Sequence, residues 1–326
     1  MEKVKIGLLG AGHLGKIHAR CIEQVETLEL VGFFDPLDEA AEKMVAELGL
    51  RRFTTLEALL EAVQAVDIVT PTTTHFALAQ QSIHAGRHIF IEKPVTQTVE
   101  EGKILLAESE KNPQLMIQVG HVERFNPAFL ALANVPLQPM FIEAHRLATF
   151  NPRGTDVSVV LDLMIHDLDI VLSVVSSPLK SVSASGVAVV SHTPDICNAR
   201  LEFENGCVAN LTASRISLKQ MRKVRLFQKD AYISLDFLDK QAQIIRLFDE
   251  ATAATLPPEA NLMPLETADG TTKMIQILMP DIAPTNAIKM ELETFANSIL
   301  LGSPVRVKLS DGLRALEVAY RIIEQL

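Results

Sequence analysis

Cysteine is scarce in this chain, and its distribution excludes two kinds of scaffold. Cys21, Cys197 and Cys207 lie far apart in the sequence. They are too few and too scattered for a disulfide framework or a structural zinc site, so we expect reduced cysteines in the core. Outside the segment Asp162–Asp169, no cluster of histidine, cysteine and carboxylate residues has ligand spacing, and the sequence therefore predicts no bound metal.

Positive charge and long apolar runs are also lacking. The formal net charge is -10, and no segment clusters lysine and arginine as phosphate-backbone binding requires. This pattern excludes a nucleic-acid partner, although an anionic small molecule could still bind locally. No uninterrupted run of about 18 apolar residues occurs, and the amino-terminal apolar run is too short for a signal sequence. We expect a cytoplasmic protein with no membrane partner.

The chain does contain enough apolar sequence for two cores. Of its 326 residues, 48% are hydrophobic and 21% are charged, as in ordinary globular proteins. Because domains commonly span about 100 to 200 residues, we expect two domains.

The first predicted domain, residues 1–122, alternates short apolar runs with amphipathic helical stretches. The runs are nearly continuous, which is typical of strands covered by helices on both faces. This alternation predicts an α/β domain with a doubly wound parallel sheet of the Rossmann type. The predicted strands are Val4–Leu9, Leu30–Phe34, Asp67–Thr70, His88–Ile91 and Gln114–Val119.

The second predicted domain, residues 123–326, has a different pattern. A helical stretch at Val160–Val175 precedes alternating segments from Ser181 to Ile245, among which Asn205-Gly206 is a strong hairpin signal. Two amphipathic helices, Ala287–Leu301 and Ser310–Gln325, complete the chain. We expect a carboxyl-terminal α+β domain with a largely antiparallel open sheet.

A glycine-rich segment lies between the first predicted strand and the first predicted helix. In this G-x-G-x-x-G sequence, Gly10 would make a tight turn, Gly12 would let the backbone approach a pyrophosphate, and Gly15 would let the helix pack on the strand. The free N–H groups of a helix that begins at His13 and Leu14 suit the anion. The segment predicts a dinucleotide site, and a glycine-rich turn in another doubly wound fold is the alternative.

Asp35 ends the second predicted strand, where a carboxylate can accept both hydroxyl groups of the adenosine ribose. It would also repel a 2′-phosphate, which favours NAD over NADP, although Arg51 and Arg52 nearby leave NADP open. The alternative is that Asp35 only caps a helix.

Two further polar features suggest a reaction site. Lys93 follows a predicted strand and would place an ammonium group at the sheet edge where α/β proteins bind ligands; a solvated lysine is the alternative. Asp162, His166 and Asp169 share one helix face at positions i, i+4 and i+7. Asp162 would orient His166 as a proton acceptor, whereas the alternative is a structural histidine beside a helix cap.

These motifs together resemble the glucose-fructose oxidoreductase, inositol dehydrogenase and MocA family, whose members carry an amino-terminal G-x-G-x-x-G, a central E-K-P and a later D-x-x-x-H. The similarity covers nearly the whole chain. It implies a catalytic trio of Lys93, Asp162 and His166. One departure is Ser158-Val159-Val160, which stands where members often carry paired glycines. The resemblance also implies cofactor contacts from Thr72, His75, Glu92 and Lys93.

The segment at residues 120–127, Gly-His-Val-Glu-Arg-Phe-Asn-Pro, resembles a subgroup that includes bacterial UDP-N-acetylglucosamine 3-dehydrogenases. This implies a nucleotide sugar, whose diphosphate guanidinium groups would bind bidentately. Each arginine is equally well explained by an ion pair at the surface or between domains. The candidate substrate residues are Arg124, Asn126, Arg146, Asp169 and Arg215.

The resemblance implies an NAD-dependent dehydrogenase that oxidises a secondary hydroxyl group of a sugar or nucleotide sugar. Either His166 or Lys93 would accept the hydroxyl proton while hydride leaves the same carbon. An inositol or free-sugar dehydrogenase, a biliverdin-reductase-like enzyme and a non-catalytic NAD-sensing regulator stay open as alternatives. Because family members commonly pair through the second domain, we expect a homodimer or homotetramer.

Overall fold

In the computed structural model, which describes residues 2–151 and 157–326, the chain forms two compact units. Met1–Phe125 and Asn286–Glu317 make the first unit, and Asn126–Thr285 and Val318–Leu326 make the second. The predicted division at residues 122 and 123 left Asn286–Glu317 in the second domain, whereas the structure groups this segment with the first unit. Periodicity identifies an amphipathic helix, but it does not show which core the apolar face joins.

Within residues 2–151, a five-stranded parallel sheet forms the centre of the first unit, with strand order β2-β1-β3-β4-β5. β3 and β5 are buried along their whole length, as expected where helices cover both faces. All five strands point the same way, so the loops that follow them meet at one edge of the sheet. The parallel sheet predicted from the sequence is confirmed. The strands are β1 (Val4–Leu9), β2 (Leu28–Phe34), β3 (Ala65–Ile68), β4 (His88–Glu92) and β5 (Ile117–Gly120).

Polar residues and glycines set the ends of the helices. Thr98 and Glu101 form a capping box at one helix start, and Asn286 accepts two backbone N–H groups at another. Among the described residues, no helix is both long enough and apolar enough to cross a membrane. The helices are α1 (His13–Ile22), α2 (Asp38–Leu48), α3 (Leu56–Ala62), α4 (His75–His84), α5 (Val99–Lys111), α6 (Pro127–Leu130), α7 (Ile165–Val174), α8 (Glu250–Ala253), α9 (Ala287–Leu301) and α10 (Leu309–Ile323).

Helix α9 belongs to the core of the first unit. Leu292, Phe295 and Ala296 are buried against a cluster that includes Val4, Ile6 and Phe90 of the parallel sheet. The rings of Phe90 and Phe295 meet edge to face with centroids 5.9 Å apart. The apolar face of α9 therefore completes the hydrophobic core beneath β1 and β4.

In the described part of the second unit, nine strands form an open sheet with the order β13-β14-β12-β11-β10-β6-β9-β8-β7. Neighbouring strands are antiparallel except β6 and β9, which confirms the largely antiparallel sheet predicted from the sequence. Buried and exposed residues alternate, so one face is buried and the other carries half-exposed side chains. The strands are β6 (Phe141–Leu147), β7 (Leu179–Val187), β8 (Ile196–Phe203), β9 (Val208–Ser214), β10 (Met221–Gln228), β11 (Ala231–Asp236), β12 (Gln241–Phe248), β13 (Met263–Glu266) and β14 (Thr272–Leu278).

The segment before α7 differs from the predicted single helix. Val160–Met164 is a π-helical turn that leads directly into α7. A π-helical turn holds one extra residue, and the spacing of apolar residues does not reveal such an insertion. The expectation of regular α-helical spacing through Asp162 is therefore wrong.

Candidate active site

The glycine-rich loop joins β1 to α1 at the carboxyl edge of the parallel sheet. Gly10 has φ 107° and its N–H donates to the carbonyl of Phe34, and a Cβ added there would lie 2.6 Å from the Val69 oxygen. A Cβ on Gly15 would lie 2.2 Å from the Gly10 oxygen. Both positions therefore require glycine for the turn to close.

Gly12 is different because the space around it is open. A Cβ added there meets no described atom within 4 Å, and no described side chain caps the helix that follows. His13 and Leu14 at the start of α1 are exposed. The N–H groups of this helix start thus face an uncrowded surface that is open to an anion.

Asp35 follows β2 and is held by two backbone N–H groups. One carboxylate oxygen accepts from Ala11 at 2.7 Å and the other from Leu37 at 2.8 Å. The side chain remains partly exposed beside the glycine-rich loop. Arg52 donates to the Asp38 carboxylate at 2.7 Å and to the backbone oxygen of Asp35 at 3.1 Å. Its guanidinium group is therefore already paired with a carboxylate.

Lys93 lies immediately after β4 and is half-buried. Its backbone N–H donates to the Glu92 carboxylate at 3.1 Å, and the Lys93–Pro94 peptide bond is cis. His75 lies beneath this turn, with its ring nitrogens 2.9 Å from the carbonyl oxygens of Pro94 and Thr70. His75 therefore ties the loop after β3 to the loop after β4.

His75 is buried, and Thr72 beside it is half-exposed in a short 3-10 turn. Burial lowers the pKa of His75, although the carbonyl oxygens of Thr70 and Pro94 oppose this change. A buried ring between two carbonyl groups is suited to holding the loops, whereas Thr72 is the more accessible of the two predicted cofactor contacts.

A buried charged cluster lies under this edge of the sheet, and the sequence analysis did not identify it. His18 donates from Nδ1 to Asp67 at 2.9 Å, and its Nε2 lies 3.3 Å from a Glu92 oxygen. Ligand atoms of His18, Glu92 and Glu291 all lie within 4.8 Å of one another. These residues are far apart in the sequence, so a search for closely spaced metal ligands could not identify them. A charged residue inside an apolar run, such as Asp67 or Glu92, was the available signal.

The charges in this cluster alter one another. Burial alone would lower the pKa of His18, but Asp67 and Glu92 raise it well above its ordinary value. Burial alone would raise the pKa of Glu92, but the hydrogen bond and charge of His18 keep it below its usual range. Burial raises the pKa of Asp67, with His18 opposing. His18 is therefore the counter-charge of two carboxylates.

The second unit carries the other predicted catalytic residues. Asp162 lies in the π-helical turn and His166 in the first turn of α7, and both are half-exposed. Asp169 is buried on α7. Asp167, which the sequence analysis did not single out, is also buried and binds Arg146 bidentately, at 2.9 and 3.1 Å. Arg146 thus fastens α7 to β6.

The remaining predicted substrate residues have varied surroundings. Asn126 caps α6 by accepting the Ala128 N–H and donates to the Phe237 oxygen at 3.0 Å. Arg215 is buried and donates to the Val157 oxygen. Arg124 is half-buried in the first unit. Partial burial, followed by the positive charge of Arg124, lowers the pKa of Arg306. Arg306 is a second guanidinium in this neighbourhood that the sequence analysis missed.

Comparisons with known proteins agree with this fold. The GFO/IDH/MocA oxidoreductase family, described as having an NAD-binding Rossmann fold, matches residues 4–121, and the GFO/IDH/MocA C-terminal domain matches residues 141–233. UDP-N-acetylglucosamine 3-dehydrogenase of Acidithiobacillus ferrooxidans is 36% identical over 323 residues, which cover 99% of this chain and 97% of the relative.

Two further comparisons extend this result. A solved structure of UDP-N-acetylglucosamine 3-dehydrogenase from Acidithiobacillus ferrooxidans has a TM-score of 0.87 and 35% identity, covering 100% of this chain and 98% of the other. The scyllo-inositol 2-dehydrogenase (NAD(+)) of Bacillus subtilis is 30% identical over 235 residues, covering 66% of this chain and 68% of the relative. The chain therefore belongs to the GFO/IDH/MocA family of oxidoreductases, whose amino-terminal domain is an NAD-binding Rossmann fold.

Proposed function

We propose that this protein is an NAD-dependent dehydrogenase that oxidises a secondary hydroxyl group of a nucleotide sugar, with UDP-N-acetylglucosamine as the first candidate and its 3-hydroxyl as the reacting group. The observation that carries this proposal is the similarity to UDP-N-acetylglucosamine 3-dehydrogenase, which runs over 99% of the chain. The scyllo-inositol dehydrogenase relative matches only 66% of the chain, and the inositol dehydrogenases that match nearly all of it are only 22% to 27% identical.

The first unit would hold the cofactor. Its Gly12 surface and the start of α1 would hold the pyrophosphate, and the Asp35 carboxylate would bind the adenosine ribose. The contacts of Arg52 with Asp38 favour NAD over NADP, because that guanidinium is already paired. When bound, NAD supplies the hydride acceptor. The proposed cofactor residues are Gly10, Gly12, His13, Leu14, Gly15, Asp35, Thr72, His75, Glu92 and Lys93.

Lys93, Asp162 and His166 are the proposed catalytic residues. One of Lys93 and His166 accepts the proton of the substrate hydroxyl, and the other donates a hydrogen bond to the developing alkoxide. Asp162 orients His166 and increases its basicity. The family resemblance supports this assignment, together with the backbone hydrogen bond that holds Lys93 at the end of β4.

The contacts of the candidate substrate residues separate those proposed to bind substrate from those proposed to hold the second unit in shape. Arg124, with Arg306 near it, is the proposed partner of the diphosphate, since neighbouring guanidinium groups attract a dianion. Asp169 remains a proposed substrate contact. Arg146 and Arg215 have partners within the second unit, and Asn126 caps α6, so we assign these three to shaping the substrate-binding unit.

The proposal also includes the roles of the two domains and the assembly. The first unit would bind NAD, and the second unit would bind substrate and form a homodimer or homotetramer. Half-exposed aromatic rings on the open sheet face support assembly, because Phe227 lies 6.0 Å from Phe141 and 5.0 Å from Tyr232 between ring centroids. The three free, buried cysteines are in keeping with a cytoplasmic setting.

The decisive experiment is a substrate panel with purified protein. NADH formation is followed by absorbance with UDP-sugars, inositols and free aldoses, each with NAD and with NADP. We expect oxidation of UDP-N-acetylglucosamine with NAD, at a kcat/KM well above that for any free sugar. Activity confined to inositols or free sugars would establish the second candidate instead. NADH binding without turnover of any member would favour the non-catalytic regulator.

A further inference from the structure

Four ionisable side chains from separate elements form the buried charged cluster of the first unit. His18 comes from α1, Asp67 from β3, Glu92 from β4 and Glu291 from α9. His18, Asp67 and Glu291 are 0% exposed and Glu92 is 8% exposed. Three carboxyl groups therefore share a place in the core with one imidazole, and carboxylates are rarely buried unless a cation or hydrogen-bond donors accompany them.

Four polar atoms of this cluster are buried without a hydrogen-bond partner among the described residues. They are Nε2 of His18, Oδ1 of Asp67 and both carboxylate oxygens of Glu291. Buried polar atoms without partners are uncommon, so four of them in one cluster indicate a bound ligand. Because most of these atoms belong to carboxyl groups, the ligand they suit carries positive charge.

The contacts of His18 fix which ring nitrogen is available to such a ligand. Nδ1 lies 2.9 Å from an Asp67 oxygen, a normal length for an N–H donor, so a neutral ring has its lone pair on Nε2. Nε2 in turn lies 3.3 Å from Oε1 of Glu92. Histidines that bind metals commonly donate their other ring N–H to a carboxylate in this way, which fixes the tautomer and the direction of the ring.

The distance between Nε2 and Oε1 favours a metal ion over a shared proton. An imidazolium that donates to a carboxylate normally gives a nitrogen–oxygen distance of about 2.7 to 2.9 Å. Two ligands that each lie about 2.0 to 2.1 Å from a tetrahedral zinc ion are about 3.3 Å apart. Ligand atoms of His18, Glu92 and Glu291 all lie within 4.8 Å of one another, so a rotation of the Glu291 carboxylate would bring it into the same coordination sphere.

The backbone holds the carboxyl groups in place. The Gln118 side chain donates to the backbone oxygen of Glu291 at 2.8 Å, which ties α9 to β5. Gly120 leaves room for Oε1 of Glu92, since a Cβ there would lie 2.8 Å from this atom. The other Glu92 oxygen accepts the Lys93 N–H at 3.1 Å. The Glu92 oxygen that faces His18 is therefore the one available to a metal.

We propose that His18, Glu92 and Glu291 bind one divalent metal ion of the zinc type, with Asp67 orienting the imidazole from behind. Imidazole nitrogen and carboxylate oxygen are both zinc ligands, and water would supply the fourth. The ion takes over from the His18 proton as the counter-charge of the carboxylates. Because its ligands come from α1, β4 and α9, it fastens the carboxyl-terminal helix to the parallel sheet. Its role is structural and independent of the substrate.

Protonation of Glu291 is the competing way to reduce the negative charge. A proton neutralises one carboxylate, but it makes no bond to Nε2 of His18. Only a metal is removed by a chelator, and only a metal needs a charged carboxylate at position 291. Glu291→Gln separates the two explanations, because glutamine keeps the shape of the side chain and a hydrogen-bond donor but binds cations poorly.

Metal content and zinc affinity are measured on the full-length protein. Wild type and Glu293→Gln, the control on the exposed side of α9, should retain about one zinc per chain by plasma mass spectrometry. When zinc sulfate is titrated into chelator-treated protein, Glu291→Gln should show a Kd about a hundredfold or more above wild type. Asp67→Asn should raise the Kd by about 10- to 100-fold, as expected for a carboxylate behind a ligating histidine.

X-ray absorption at the zinc edge identifies the ligands in the wild type, and it needs no variant. The spectrum should show one imidazole, oxygen ligands and no sulfur, which excludes the nearby Cys21. EDTA should lower the melting temperature of wild type and of Glu293→Gln but not that of Glu291→Gln.

Three results would overturn the proposal: no zinc uptake by the wild type, sulfur ligands in its spectrum, or equal zinc affinity in Glu291→Gln and wild type. These measurements need neither NAD nor a sugar, so a wrong substrate assignment leaves them unchanged.

Discussion

The glycines of the first loop differ in the space available for a side chain at each position. Gly15 has no space for a Cβ, since the Gly10 oxygen would lie 2.2 Å away, whereas Gly12 has nothing within 4 Å and a φ of -69° that any residue adopts. Substitution at these two positions should therefore have different effects. Gly15 is required by the fold, whereas Gly12 leaves clear the surface proposed for the pyrophosphate.

Gly12→Val should weaken NADH binding without unfolding the protein. The valine fits the backbone, and loss of the glycine cap should cost no more than about 1 kcal/mol of stability. Its side chain would occupy the place proposed for the pyrophosphate, so we expect at least a tenfold rise in the Kd for NADH, or about 1.4 kcal/mol. Fluorescence titration and thermal melting measure both effects. Gly15→Ala is the contrasting variant, for which a lower melting temperature is expected.

Lys93→Ala should separate cofactor binding from turnover. Removing a donor to the developing alkoxide costs about 3 kcal/mol, so kcat should fall about a hundredfold or more, while the Kd for NADH changes little. Lys111→Ala, at the exposed end of α5, is the control. Turnover equal to wild type in purified Lys93→Ala would remove this lysine from the mechanism. The pH profile of the residual activity, compared with that of His166→Ala, identifies which residue accepts the proton.

Helix α7 shows what sequence spacing can miss in an element. The regular spacing of Asp162, His166 and Asp169 predicted one α-helix, and the structure has a π-helical turn at its start. The nearby Asp167 was not selected as a candidate, yet its buried bidentate pair with Arg146 fastens the element to β6. Arg146 and Asp167 are 21 residues apart and lie on different elements, so no local sequence pattern pairs them. Only the folded chain reveals this pair.

Arg146→Met should destabilise the second unit, because it leaves the Asp167 carboxylate buried without this guanidinium. We expect a loss of about 3 to 5 kcal/mol in the free energy of unfolding, and recovery of most of it in the double variant Arg146→Met/Asp167→Leu. Urea unfolding of both proteins measures the difference. A stable Arg146→Met protein with an increased KM for the nucleotide sugar would instead assign Arg146 to the substrate.

At the scale of the whole molecule, the sequence predicted the classes of both sheets but not the grouping of the elements. Apolar runs and the Asn205-Gly206 hairpin signal are local, and both appear as strands and a turn where expected. Which unit α9 packs in depends on contacts such as that between Phe295 and Phe90, which are distant in the sequence. The buried charged cluster around His18 was missed for the same reason, since its residues come from separate elements.

The open face of the second unit's sheet is the proposed interface for assembly. Phe227 lies on the open face of the sheet between Phe141 and Tyr232, so Phe227→Lys should place a charge in the proposed interface. We expect the wild type to sediment as a dimer or tetramer and Phe227→Lys to sediment at a lower mass in analytical ultracentrifugation. Lys229→Glu, at an exposed position beyond the same strand, is the control. A monomeric wild type would contradict the assembly.

The return of Asn286–Glu317 to the first unit affects how the protein can be made. A fragment that stops at Phe125 would leave Val4, Ile6 and Phe90 without the apolar cover of α9. Domains of most proteins fold in order as the ribosome releases them. Here the nucleotide-binding half can complete its hydrophobic core only after most of the chain has been translated, and a separately expressed version would need its distant carboxyl-terminal segment joined to it by a linker.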